Sequence, residues 1–136
     1  MSINTNEHIG IPMNMLEYVD VSCFVRLLNS PDYRMRFLGE YWELKIRMIK
    51  LKNMLDKYYK AGVLPFNPTC SYELLYEQFI YMKRYVDILI DRAKVENIDL
   101  NLPIEEEQRV LENATMNKKA REEAAKKKSE GEDNEE

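Results

Sequence analysis

Residues 30–59 read SPDYRMRFLGEYWELKIRMIKLKNMLDKYY, and the fold is decided in this stretch. It opens with Ser30-Pro31-Asp32: a hydroxyl that can accept from the first free amides, a proline suited to the first helical position, and an acid facing the positive end of a helix. From there Phe37, Tyr41, Leu44, Met48, Leu51, Leu55 and Tyr58 recur at alternating steps of four and three, the spacing that keeps one apolar seam turned toward a partner helix. The pattern predicts a helix from about Pro31 to Tyr59. Lys57 and Lys60 lie near its negative end, and Gly62 can take the left-handed conformation that closes it.

The partner helix follows directly. Pro65 and Pro68 forbid helix between Val63 and Cys70 and favour an extended, turning connection. Tyr72, Leu75, Phe79, Met82, Val86, Leu89 and Ala93 then repeat the pattern, which predicts a second helix over roughly Ser71 to Asn97. Each helix would be about 40 Å long at 1.5 Å per residue. Two such helices with a short connection make an antiparallel hairpin.

The expected fold is therefore all-α, in three parts: an N-terminal segment over 1–30, a hairpin over 31–100 and a charged tail over 101–136. The first part begins polar and turns apolar from Met13, with a short helix around Val21–Leu28 carrying Phe24, Leu27 and Leu28 on one side. The tail has a favourable helix entrance in Pro103 and Glu105 to Glu107 but sparse apolar residues, and from Lys118 it is a charge run. It is expected to be partly helical or disordered and solvated.

The chain has 136 residues, with 20 Lys plus Arg against 24 Asp plus Glu and a net charge of −4. Residues 1–100 carry 13 basic and 13 acidic side chains and residues 101–136 carry 7 and 11, so the net charge belongs to the tail. A neutral body offers no general electrostatic attraction for a duplex or an anionic membrane. No apolar run of about 18 residues is present, so no membrane span is expected. Met1 to Met15 lacks a basic region and carries Glu7, and is not expected to be a secretory signal. Cys23 and Cys70 have no partner motif and read as reduced, semi-buried thiols.

Catalytic material is scarce. The single imidazole, His8, has no nearby acid or cysteine to position it. No Cys or His pair has zinc spacing, and the consecutive Glu105 to Glu107 point around a helix rather than toward one ion. Gly10, Gly39, Gly62 and Gly131 are isolated, so no phosphate loop exists. Gly39 inside the first long helix costs about 1 kcal/mol relative to alanine; it marks either a close helix approach or a tolerated glycine. A non-enzymatic protein without metal or cofactor is expected.

Each long helix also carries a second apolar stripe, Leu38, Trp42, Ile46 and Ile49 on the first and Leu74, Tyr81, Tyr85 and Ile88 on the second. Leaving these wet forfeits about 1.5–3 kcal/mol per large side chain. The N-terminal segment can cover part of them, and the remainder predicts self-association or a protein partner, with Leu38, Trp42, Ile46, Ile49, Tyr81, Tyr85 and Ile88 at the interface. A monomer with the N-terminal helix folded onto the hairpin is the rival arrangement. A second use is open to Tyr41, Lys45, Arg47 and Arg92, which combine ring faces and cations as a small-nucleotide pocket requires. Against that stands the plainer reading of helix packing and surface pairs such as Glu43 with Arg47, Arg36 with Glu40 and Lys83 with Asp87.

The string Tyr33, Phe37, Glu40-Tyr41, Leu44-Lys45-Ile46-Arg47, Lys50-Leu51, Phe66-Asn67-Pro68-Thr69-Cys70, Leu74-Leu75, Gln78, Met82, Tyr85, Leu89, Arg92-Ala93 and Ile98-Asp99-Leu100 resembles a family of small helical phage and prophage proteins named after a crAss-like phage protein. Ser71 stands where members commonly have proline. The resemblance covers about Asp32 to Leu100 and implies an accessory protein acting in the cytoplasm of an infected bacterium. By analogy with other small phage accessory proteins, it would work by stoichiometric binding to a host or immune protein or to a signalling nucleotide, with a virion or packaging role as a further alternative.

Overall fold

The computed structural model describes residues 10–61 and 69–133, and every regular element in it is helical. A 3-10 turn at Met13–Tyr18 and another at Val21–Phe24 lead into α1 (Val25–Leu28), followed by α2 (Tyr33–Ala61), α3 (Tyr72–Glu96) and α4 (Ile104–Asp133). The chain divides into two compact units, Phe24–Leu102 and a second made of the residues before Phe24 together with Pro103 onward. His8, Gly62, Pro65 and Pro68, to which the sequence reading gave roles, lie outside the described residues.

In the first unit α2 and α3 pack along the expected seam. Phe37, Tyr41, Val86, Leu89 and Ala93 form the buried cluster, with Leu44 and Met48 packed against it. Contacts at both ends fix the hairpin's register. Tyr58 near the end of α2 stacks on Tyr72 at the start of α3, centroids 5.0 Å apart. At the opposite end the Tyr33 hydroxyl donates to Glu96 Oε1 over 2.9 Å. Halfway along, the Tyr85 hydroxyl donates to Glu40.

The helix ends show how local chemistry sets the boundaries. α2 begins two residues later than the sequence predicted, because Asp32 rather than Ser30 caps it. Asp32 Oδ1 accepts from the Arg34 amide at 2.9 Å and its carbonyl accepts from the Arg36 amide at 3.1 Å, while Ser30 Oγ takes the Asp32 amide. Pro31 therefore lies in the lead-in. Ser71, at the position where the resembled family favours proline, caps α3 by accepting from the Leu74 amide at 3.2 Å. α3 closes on Asn97 in the left-handed conformation, φ 57° and ψ 48°, and the Ile98 amide reaches back to the Ala93 carbonyl at 2.8 Å. Asparagine tolerates that backbone better than other non-glycine residues.

α1 folds back onto the first turns of α2, and Gly39 is the point of closest approach. A Cβ there would lie 2.9 Å from the Leu28 amide nitrogen and 3.0 Å from Leu27 Cβ. The glycine is thus a close-approach residue. Phe24 stacks on Trp42 at 6.3 Å, and the indole Nε1 donates to the Leu100 carbonyl at 2.8 Å.

In the second unit the helical alternative for residues 101–136 holds, and its first half is packed where a solvated tail was expected. Ile104–Asp133 is one continuous helix. Its first half buries Val110 and Ala114, at 1% and 0% exposure, in the unit that also buries Leu16 and Val19. Polar groups complete this contact. The Gly10 amide donates to Glu107 Oε1, the Asp20 amide to Asn113 Oδ1 at 2.8 Å, and Asn117 Nδ2 to the Tyr18 carbonyl at 2.7 Å. Arg121 lies over the Tyr18 ring at 5.0 Å. Beyond Lys118 the described side chains of α4 are exposed, as the charge run predicted.

Candidate functional site

The residues singled out from the sequence separate into three places on the hairpin. On α2, Leu38 and Ile46 are 1% and 0% exposed, so these two are core side chains of the chain itself. Trp42 and Ile49 are half-buried. The second stripe of α2 is thus largely covered. The corresponding stripe of α3 is not: Tyr81, Tyr85 and Ile88 are 65%, 44% and 48% exposed, with Leu74, Ile80 and Val95 exposed beside them.

The four residues considered for a ligand do not converge. Tyr41 is buried in the seam, and burial pushes its hydroxyl above the ordinary tyrosine value. The Lys45 ammonium lies 5.6 Å from the centroid of the Tyr41 ring and 4.8 Å from that of Trp42, and burial lowers its pKa. Arg47 points outward and pairs with Glu43 at 3.4 Å. Arg92 lies over the ring of Phe37 and not with the other three. The surface pairing foreseen for Glu40 is also replaced, because Glu40 takes the Tyr85 hydroxyl while Arg36 donates to the Ser30 carbonyl.

Around Arg92 the edge is ordered and partly open. Its guanidinium carbon lies 5.0 Å from the Phe37 ring centroid, Nη2 donates to the Tyr33 hydroxyl at 2.7 Å, and the same nitrogen pairs with Glu96 at 3.2 Å. The hydrogen bond to the Glu96 carboxylate raises the Tyr33 pKa, since ionisation would place two negative oxygens side by side; the bond to Glu40 raises that of Tyr85 in the same way. Tyr33 and Tyr85 flank the cation with half their surface free, at 45% and 44%. Tyr33 enters this site by a contact across the hairpin, and only the predicted antiparallel pairing could have brought it next to Arg92.

The third place is an open groove of about 390 Å³ on the outer face of α3, lined by Ile80, Lys83, Arg84, Asp87, Ile88 and Asp91. Among the described residues no cluster of His, Cys, Asp or Glu is arranged to hold a metal ion, and no helix is long and apolar enough to cross a membrane. Cys23 and Cys70 are free thiols of intermediate exposure.

The class that the described elements define is an all-α helical hairpin. Residues 31–95 match the family model named Sequestin, so the similarity falls on α2, α3 and their connection, just under half of the chain. The name carried by that match is Sequestin and not the crAss-like phage family that the sequence resembles. No curated protein and no solved structure matches the chain.

Proposed function

We propose that this is a non-enzymatic phage accessory protein that acts by sequestration, holding a small nucleotide signal stoichiometrically and so withdrawing it from a bacterial immune pathway in the host cytoplasm. The observation that carries the reading is the match of the hairpin to the Sequestin family, whose name denotes sequestration. Sequestration is open to a nucleotide or to a host protein, and the ordered cation beside exposed rings at Arg92 supports the nucleotide.

The Arg92 edge supplies the chemistry such a ligand requires. A guanidinium held by Phe37 and Tyr33 is pre-oriented for a phosphate, which would displace Glu96 as its anionic partner. Exposed tyrosine rings on either side offer stacking faces, worth about 1–3 kcal/mol per base. Lys45 and Arg47 lie elsewhere and would contribute at most long-range attraction.

Calorimetry of the purified protein against cyclic and linear nucleotides tests this. Binding with fixed stoichiometry, lost in Arg92→Ala and retained in Arg47→Ala, is the expected result. Heat denaturation should then release the ligand chemically intact, which separates sequestration from hydrolysis. No heat from any nucleotide, combined with saturable binding of a host protein, would replace this reading with that of a protein inhibitor.

A further inference from the structure

The outer face of α3 carries a feature that the proposed ligand edge does not use. Leu74, Tyr81, Ile88 and Val95 recur every seven residues, and all four are more than 45% exposed. A heptad row on a helix that already has one packed seam is the mark of a second helix–helix contact. Between these residues the charges are ordered: Lys83 and Arg84 come one turn before Asp87 and two turns before Asp91. Among the described residues none of these four forms an ion pair within the chain, although all line one groove.

That order is complementary to its own reverse. A parallel copy of α3 in register would set Arg84 against Arg84 and Asp91 against Asp91. An antiparallel copy turned about a two-fold axis beside Ile88 sets Arg84 of each chain opposite Asp91 of the other, twice. We propose that α3 uses this face to pair, antiparallel, with the α3 of a second copy of the chain, as an isologous two-fold contact. Ile88 meets its own copy at the centre, and Ile80, Tyr81 and Val95 close the apolar layers on either side. Asp87 lies beside its own copy near the axis, with Lys83 one turn before it on the same helix to offset the repulsion. A register with Glu77 opposite Arg84 would set Ile88 against Glu73 and carry Val95 past the start of the partner α3, and is the poorer solution.

The pairing goes beyond the sequestration reading and stands without a ligand, so the two fail separately: Arg92→Ala is read in ligand heat and the α3 variants in mass. Light scattering of the ligand-free protein at micromolar concentration should give twice the 16.2 kDa of the chain. Arg84→Asp should weaken association by about tenfold or more through two like-charge contacts, and the double variant Arg84→Asp with Asp91→Arg should restore it. Circular dichroism verifies that each variant keeps its helices. On a background of Cys23→Ser and Cys70→Ser, Ile88→Cys should cross-link two chains under mild oxidation, whereas Val95→Cys should not. A wild-type mass of one chain overturns the proposal, as does a dimer indifferent to the charge swap or one in which Val95→Cys cross-links as readily as Ile88→Cys.

Discussion

Leu38, Trp42, Ile46 and Ile49 on α2 and Leu74, Tyr81, Tyr85 and Ile88 on α3 are both apolar stripes at helical spacing, and they lie in opposite surroundings. The α2 stripe has two side chains at 1% exposure or less, while every named member of the α3 stripe is above 40%. The cause is chain connectivity. Four residues separate α1 from α2, so α1 falls back on the helix it precedes, and Gly39 removes the side chain that would hold it off. Among the described residues of the hairpin unit, no segment is placed to do the same for α3. An apolar stripe therefore fixes which face seeks cover and leaves open whether the cover comes from the same chain.

The contrast can be broken most sharply with a carboxylate. Ile46→Asp places a charge at a position with 0% exposure and should cost about 4 kcal/mol or more, enough to unfold a marginal domain. Ile88→Asp on the open stripe should change the stability of the single chain by about 0.5 kcal/mol or less. Urea denaturation followed by circular dichroism at low protein concentration measures both. Equal losses would mean that the α3 stripe is as buried in solution as that of α2.

Next in size is Gly39→Ala. Helix propensity alone favours alanine by about 1 kcal/mol, but the new Cβ would press on the Leu28 backbone nitrogen at 2.9 Å, which cannot move without moving α1. Overpacking of that kind costs about 1–3 kcal/mol, so a net loss near 1 kcal/mol is expected. Gly131→Ala, where a Cβ meets nothing within 4 Å, should show no loss. A more stable Gly39→Ala protein would remove the reason given for the covered stripe.

Ser71→Ala tests the start of the open helix and should cost about 1 kcal/mol through loss of the bond to the Leu74 amide. The smallest effect is the alkaline limb. Tyr41, Tyr33 and Tyr85 all have pKa values raised above 10.0, the first by burial and the others mainly by bonds to carboxylates. The folded state thus favours the protonated hydroxyls. Their contribution is complete below the unfolded value near pH 10 and is lost as pH rises through the higher folded values. Thermal midpoints should fall above pH 10, and Tyr41→Phe should flatten that fall.

The hairpin was legible because its determinants are periodic and local. The seam residues, the start of α3 at Ser71 and the short helix over Val21–Leu28 all follow from spacing and capping chemistry. The cap of α2 was misplaced by two residues because Ser30 and Asp32 both have capping side chains, and only the backbone path selects Asp32. The helix at the start of α4 is legible in its entrance residues, but its packing is not, because its contact row, Glu107, Val110, Ala114, Asn117 and Arg121, is helical in spacing but mostly polar in content. Its partners are backbone groups at Gly10, Tyr18 and Asp20, about 90 residues or more away in sequence for the bonds they form. The Arg92 edge depended on Tyr33 across the hairpin, a neighbour that spacing along either helix alone does not reveal.

The uneven dressing of α4 has a consequence for motion. Up to Arg121 it is anchored by the side-chain clamps, by buried Val110 and Ala114 and by the Arg121 contact with the Tyr18 ring, whereas from Glu122 to Gly131 every residue is exposed and the helix's own amide ladder holds it. Amide protons in the first stretch should exchange with deuterium only when the unit opens, and those in the second should exchange by fraying from the carboxyl end, giving one continuous helix two distinct exchange rates.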